Sequence, residues 1–303
     1  MYRLPLILAV LLLSGPISPA RSADAPKVMT FIYHRDEGDI DVRNQYLWRM
    51  LRGALEHTRD RYGDYVLEPS IAMHQKRRIY VLEHNEAGIN VSLFPAQRGL
   101  DDQLVPVRIP VDRGMLGYRV LLIRESDQAR FDSVKTLADL KHFRFGLLSW
   151  WEDVDIMKNS GLTVVSGTSY EGLFRMLGAG RFDALSRSSS EVLQEFDLRS
   201  KDLAGVAIEK HLLLHYPMPA YFWFPNTEDG HRRAERVETG MREMMKDGTF
   251  QQLFDEEFGP LIRKLDMAHR QVIEMPNPLL GGNDPLGDSS LWYKPSGNAA
   301  AHQ

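Results

Sequence analysis

Arg144-Phe145-Gly146-Leu147-Leu148-Ser149-Trp150-Trp151-Glu152 is the stretch on which the fold turns. Its first five residues are a short, mostly apolar run, the pattern of a strand buried in a sheet. Ser149 followed three residues later by Glu152 is the pattern of a capping box, which opens a helix. A strand that feeds a helix with almost no loop is half of a parallel α/β unit. Neighbouring residues repeat the pattern. Thr136 and Asp139 frame a box around Leu137 and Leu140, and residues 162–165 read as a strand. Thr168 and Glu171 cap a helix with Leu173, Phe174 and Leu177 inward, stopped by Gly178 and Gly180. Residues 182–185 read as a strand, with Ser188 and Glu191 capping one more helix. Agreement among these junctions predicts an α/β lobe over residues 113–216.

Upstream, residues 28–33 (Val-Met-Thr-Phe-Ile-Tyr) form a buried strand ahead of a polar loop. Asp41 caps a helix with Tyr46, Leu47, Met50, Leu51, Ala54 and Leu55 at helical spacing. A short strand at 65–67, a helix at 76–83 and a strand at 89–94 continue the alternation. β-rich runs at 104–109 and 117–123 are joined through Pro110 and Gly114. Further on, 211–214 and 220–224 read as strands, and 232–245 and 250–258 as helices separated by Gly248. About 280 residues exceed a single typical core. The expected limits are a first, discontinuous lobe of 24–112 with 217–274, a second lobe of 113–216, and an irregular tail of 275–303 anchored by Leu291-Trp292-Tyr293.

Residues 1–23 have the layout of a secretory signal peptide. Arg3 supplies the positive start, 4–13 the apolar run, and small residues and prolines follow. Cleavage after Ala20 or after Ala23 fits, and the expected location is the periplasm. That apolar run is too short to span a membrane and no other segment approaches the length needed, so the protein is not expected to be membrane-embedded. There is no Cys, which excludes disulfides, a thiol nucleophile and zinc–thiolate sites. The formal charge is −4, and −6 without Arg3 and Arg21. A mildly acidic chain is a poor nucleic-acid binder. His74-Gln75-Lys76-Arg77-Arg78, the one cationic cluster, reads as a solvated helix face.

Catalytic signatures are missing. There is no Gly-x-Ser-x-Gly elbow, His-Glu-x-x-His, phosphate loop or dinucleotide fingerprint, so no cofactor and no metal is expected. His211 and His215 flank a strand rather than share a helix face. The candidate binding residues lie where strands end. Ser149, Trp150 and Trp151 stand at a helix N-terminus suited to an anion, with an aromatic ring to cover an apolar part of the guest. Asp153 can accept from an amine. Arg98 follows the strand of the first lobe and Arg187 that of the second, each able to grip a carboxylate. Tyr33, closing the first strand, joins them.

In their order, residues 105–119 (Val-Pro-Val-Arg-Ile-Pro-Val-Asp-Arg-Gly-Met-Leu-Gly-Tyr-Arg), 134–146 with Leu137-Ala138-Asp139-Leu140-Lys141, 170–184 with Leu177-Gly178-Ala179-Gly180-Arg181-Phe182-Asp183-Ala184, and Met245-Lys246-Asp247-Gly248-Thr249-Phe250 resemble the type II periplasmic solute-binding proteins. The likeness is to family 3, the polar-amino-acid binding components of ABC transporters, in a divergent orphan branch. It covers residues 28 to 258. It implies an α/β, two-lobed fold with mixed, mainly parallel sheets and crossing hinge strands, closing on a ligand by hinge motion. The family's carboxylate-gripping Arg falls on Arg98, and its backbone donors on Ser149-Trp150-Trp151. Two departures stand out. Ser186-Arg187-Ser188 replaces an acidic residue, and two Trp replace small residues. They favour an anionic ligand on Arg98 and Arg187 over an ordinary α-amino acid. The implied function is non-catalytic binding of a small carboxylate-bearing solute by a monomer, for an ABC permease or a membrane-bound sensor. The alternatives are a secreted enzyme on this fold, with Asp153 and His34 or Glu37 as acid and base, and an adaptor without ligand.

Overall fold

The computed structural model describes residues 28–35, 45–199 and 205–295. The expected leader, the Asp41 cap and Glu37 lie outside these residues. The chain begins with β1 (Met29–Arg35), α1 (Gln45–His57), α2 (Arg59–Tyr62), β2 (Tyr65–Ala72), α3 (Gln75–Glu83), β3 (Ser92–Pro95) and β4 (Leu104–Val107). Then follow β5 (Tyr118–Arg124), α4 (Gln128–Asp132), α5 (Leu137–Leu140), β6 (Arg144–Leu148), α6 (Asp153–Asn159), β7 (Thr163–Gly167), α7 (Tyr170–Gly178), β8 (Ala184–Ser188), α8 (Val192–Arg199), β9 (Val206–Ile208) and β10 (Leu212–His215). The last elements are β11 (Ala220–Pro225), α9 (Glu228–Asp247), α10 (Thr249–Lys264) and β12 (Gln271–Glu274).

The first lobe holds the parallel pair β1–β2, whose Tyr33 also bridges Val91, and the antiparallel sheet β3-β11-β4. Tyr46, Met50, Leu51, Ala54 and Leu55 bury one stripe of α1, as their helical spacing requires. α9 packs onto α1 at Gly240, where an added Cβ would stand 2.0 Å from the Ala54 carbonyl oxygen, so glycine alone permits the approach.

The second lobe is a seven-stranded mixed sheet in the order β12-β10-β5-β8-β6-β7, with β9 also on β5. β6 runs parallel to β7 and β8, while β5 runs antiparallel to β8, β9 and β10. Both faces are covered. Val120 and Leu122 enter one core and Leu121 and Ile123 the other, the two-residue alternation of a strand. The first of these cores is continuous with the first lobe, joining Val120, Leu122 and Leu213 to Phe31, Met50 and Phe222.

Four expectations need correction. Thr136 and Asp139 do form a capping box, but α6 starts at Asp153 with no side-chain cap, so Ser149 and Glu152 form none. α7 is capped by Ser169 rather than Thr168, and the Ser188 hydroxyl meets Ser190 rather than capping α8. Residues 271–274 were expected with the first lobe; β12 instead extends the sheet of the second by pairing parallel to β10. Among the described residues, no helix is long and apolar enough to cross a membrane.

Candidate functional site

β3 ends at Pro95 and delivers Gln97 and Arg98 to the rim of the first lobe. β6 ends at Leu148 and delivers Ser149 to Glu152 to the rim of the second, the end at which open α/β sheets present ligand sites. Between the rims lies a cleft of ≈ 540 Å³ lined by Gln97, Arg98, Ser149, Trp150, Trp151, Glu152, Val154, Asp155, Pro278 and Leu279. Small-molecule sites span about 300–1,000 Å³. The Gln97 side-chain amide donates to the Glu152 carboxylate, so the two lobes touch across the cleft. Burial lifts the Glu152 carboxyl above its usual range, although the Gln97 bond pulls the other way.

Arg98 is exposed. Its guanidinium donates to the Pro278 carbonyl at 3.1 Å and its backbone N–H to the Leu279 carbonyl at 2.7 Å. Trp150 is 64 % exposed, an unusual amount of aromatic surface to leave in water. Trp151 is half-buried, and the Arg187 guanidinium stands 4.4 Å from its ring centroid. The Ser149 N–H is already spent on the Gly167 carbonyl at 3.0 Å.

Of the seven residues singled out by sequence, the structure therefore brings four into one cleft: Arg98, Ser149, Trp150 and Trp151. The other three have partners elsewhere. Arg187, expected to grip a carboxylate of the guest, is buried and grips carboxylates of the protein. Its Nε donates to Glu195 at 2.6 Å and its Nη2 to Glu191 at 3.0 Å, while the Tyr170 hydroxyl also donates to Glu195. Burial opposes the Arg187 charge, but Glu195 and Glu191 outweigh it and raise its pKa. Asp153, expected to accept from a guest amine, is buried against Arg119 at 3.0 Å and takes a hydrogen bond from the Tyr216 hydroxyl. Tyr33 stacks at a tilt on Trp48, centroids 4.4 Å apart.

Sequence reading missed Gln97, Asp155, Pro278 and Leu279 as lining and treated Glu152 only as a cap. Glu191 and Glu195 carried a usable signal, since their four-residue spacing puts both on one helix face behind the strand that ends at Ser188. His34, a candidate base, is buried against Arg78 and Ser92; burial, aided by Arg78, pushes its pKa down to about 3. His211 Nε2 donates to the Val134 carbonyl at 2.9 Å, and His215 pairs with Glu274 at 2.6 Å. Among the described residues no group of three His, Asp or Glu is placed to hold a metal ion.

Two lobes, a mixed sheet in the second and a cleft at the strand ends define the fold of the type II periplasmic solute-binding proteins. Solved structures share it. An ancestral arginine-binding protein bound to arginine is 18 % identical, over 76 % of this chain and 98 % of that one, with a TM-score of 0.51. YckB of Bacillus subtilis is 14 % identical over 76 % and 90 %, TM-score 0.52. The GluR0 ligand-binding core in complex with L-glutamate is 10 % identical over 76 % and 98 %, TM-score 0.51. No family model matches the sequence, and no curated protein matches it.

Proposed function

We propose that this chain binds a small carboxylate-bearing solute in the cleft between its lobes and presents it, without catalysis or cofactor, to an ABC permease or a membrane-bound sensor in the periplasm. The observation that carries the reading is one cleft lined by an exposed guanidinium from one lobe, Arg98, and an exposed indole from the other, Trp150. Arg98 takes the carboxylate and Trp150 covers the apolar body of the solute. With Arg187 neutralised by its own glutamates and Glu152 and Asp155 in the lining, the cleft suits one carboxylate better than two. Of the described residues, those between 28 and 112 with 217–270 make one lobe and those between 113 and 216 with 271–274 the other, and the protein works as a monomer.

The test is a thermal-shift screen against monocarboxylates, dicarboxylates and amino acids, followed by calorimetry. A ligand at a hundred times its Kd stabilises by about 2.7 kcal/mol. Arg98→Ala and Trp150→Ala, both at exposed positions, should keep the melting temperature of the free protein and lose the ligand-induced shift. A shift that survives Arg98→Ala overturns this site. The adaptor reading draws on one contact, the Pro278 carbonyl already seated on the Arg98 guanidinium, and predicts no shift with any compound.

A further inference from the structure

Residues 275–293, irregular in backbone, are packed along their length. Met275 is buried in the core of the second lobe and its N–H donates to the His215 carbonyl at 2.8 Å. Leu279 still packs against that core, whereas the next residue, Leu280, is buried in the first lobe with Phe94, Ala96 and Leu100. Between these, the Pro278 and Leu279 carbonyls take the guanidinium and backbone N–H of Arg98. Asp284 then accepts from the Tyr221 hydroxyl at 3.0 Å.

The same segment is bonded to both stretches by which the chain first crosses between the sheets, 108–117 and 216–219. Asn277 Nδ2 donates to the Pro217 carbonyl at 2.8 Å. The Tyr293 N–H donates to the Arg113 carbonyl at 2.8 Å, and its own carbonyl accepts from the Tyr118 hydroxyl at 2.9 Å. Trp292 lies so close to Gly114 that a Cβ there would stand 2.6 Å from the ring. Gly114 and Arg113 both hold positive φ, 79° and 52°, a turn that the indole covers.

We propose that residues 275–293 are a hinge brace: a strap that fixes the geometry of both crossings, limits how far the lobes separate, and positions Arg98 at the cleft. A hinge opens by changing φ and ψ in a few residues of the crossing segments. Here those segments can change only if the Asn277, Trp292 and Tyr293 contacts break or move with them. The positioning of Arg98 rests on the solute-binding reading; the restraint on the lobes does not.

Because the chain has no Cys, Lys76→Cys on α3 and Lys158→Cys on α6, both exposed, can be spin-labelled cleanly in the full-length protein. Double electron–electron resonance, with no ligand added, then reads the distance between the lobes. The parent should give one narrow distribution. Asn277→Ala should broaden it, and Asn277→Ala with Trp292→Ala should shift it to longer distances. Should the double variant fail to fold, Asn277→Ala alone decides. Variants that melt cooperatively and keep the parent's distribution overturn the brace. A chain that binds no solute but opens in the variants would sink the solute reading and leave the brace standing.

Discussion

Asp153→Ala separates a binding role from a structural one. Asp153 is 8 % exposed, with Arg119 at 3.0 Å, and Arg119 is itself 6 % exposed. Burial opposes the Arg119 charge, yet Asp153 and Tyr216 more than compensate and hold the guanidinium above its usual pKa range. Removing the carboxylate leaves Arg119 with the Tyr216 hydroxyl at 2.5 Å and the Met218 sulfur at 3.5 Å, neither of them an anion. Breaking a buried ion pair from one side costs about 3–5 kcal/mol. The first turn of α6 also loses a favourably placed acid, worth about 0.3–1 kcal/mol. At about 2 °C per kcal/mol for a chain of this size, the melting temperature should fall by about 6–12 °C. Urea unfolding followed by circular dichroism should show a lower midpoint with an unchanged slope. Arg119→Met with Asp153→Leu removes both charges and should recover most of the loss, since a buried pair is often replaceable by apolar side chains. A loss below about 1 kcal/mol for Asp153→Ala, or no recovery in the double variant, refutes the assignment and returns Asp153 to the candidate binding residues.

Asp112, in the first crossing segment, is buried and accepts from the Gly114 and Leu116 N–H groups; burial pushes its carboxyl up to about 6 despite these bonds. A folded-state pKa above the unfolded value means that its contribution is present at low pH and lost as pH rises from about 4 to about 6, roughly 3 kcal/mol in all. Asp112→Asn should therefore flatten the stability profile over that window, as read by urea midpoints at successive pH values. Gly240→Ala forces a methyl against the Ala54 carbonyl and should cost about 3 kcal/mol or prevent folding, whereas Gly178→Ala, with nothing within 4 Å, should stabilise α7 by about 0.5 kcal/mol. Differential scanning fluorimetry of the pair checks both signs.

Strand β6 was legible because everything that defines it is local: Arg144–Leu148 is a short apolar run ahead of a turn, and the structure starts and stops it there. The box at Thr136 and Asp139 was legible for the same reason. The place of β12 was not. Gln271-Val272-Ile273-Glu274 has no local mark of which sheet it joins, and its register against Leu212–His215 is set by contacts about sixty residues apart. The brace was still less visible, since Pro, Gly and Asn in residues 276–287 signal irregular backbone whether that backbone is loose or packed.

At the site, sequence found the chemistry of single residues but not their competitors. Ser149 and Glu152 have the right spacing for a box, yet Glu152 bonds Gln97 of the other lobe and the Ser149 N–H bonds Gly167, so the helix begins at Asp153. Arg187 and Asp153 are strong ligand-binding types, and burial makes each of them demand a counter-charge. Evolving that counter-charge inside the protein removes the residue from the cleft, and here Glu195, Glu191 and Arg119 supply it. Arg98 escapes the same fate because it is exposed: water and a strap carbonyl satisfy it, and both are weaker competitors for a guanidinium than a bidentate carboxylate. Under the proposed function, that difference favours Arg98, rather than the better-buried Arg187, as the residue through which a solute would gain most.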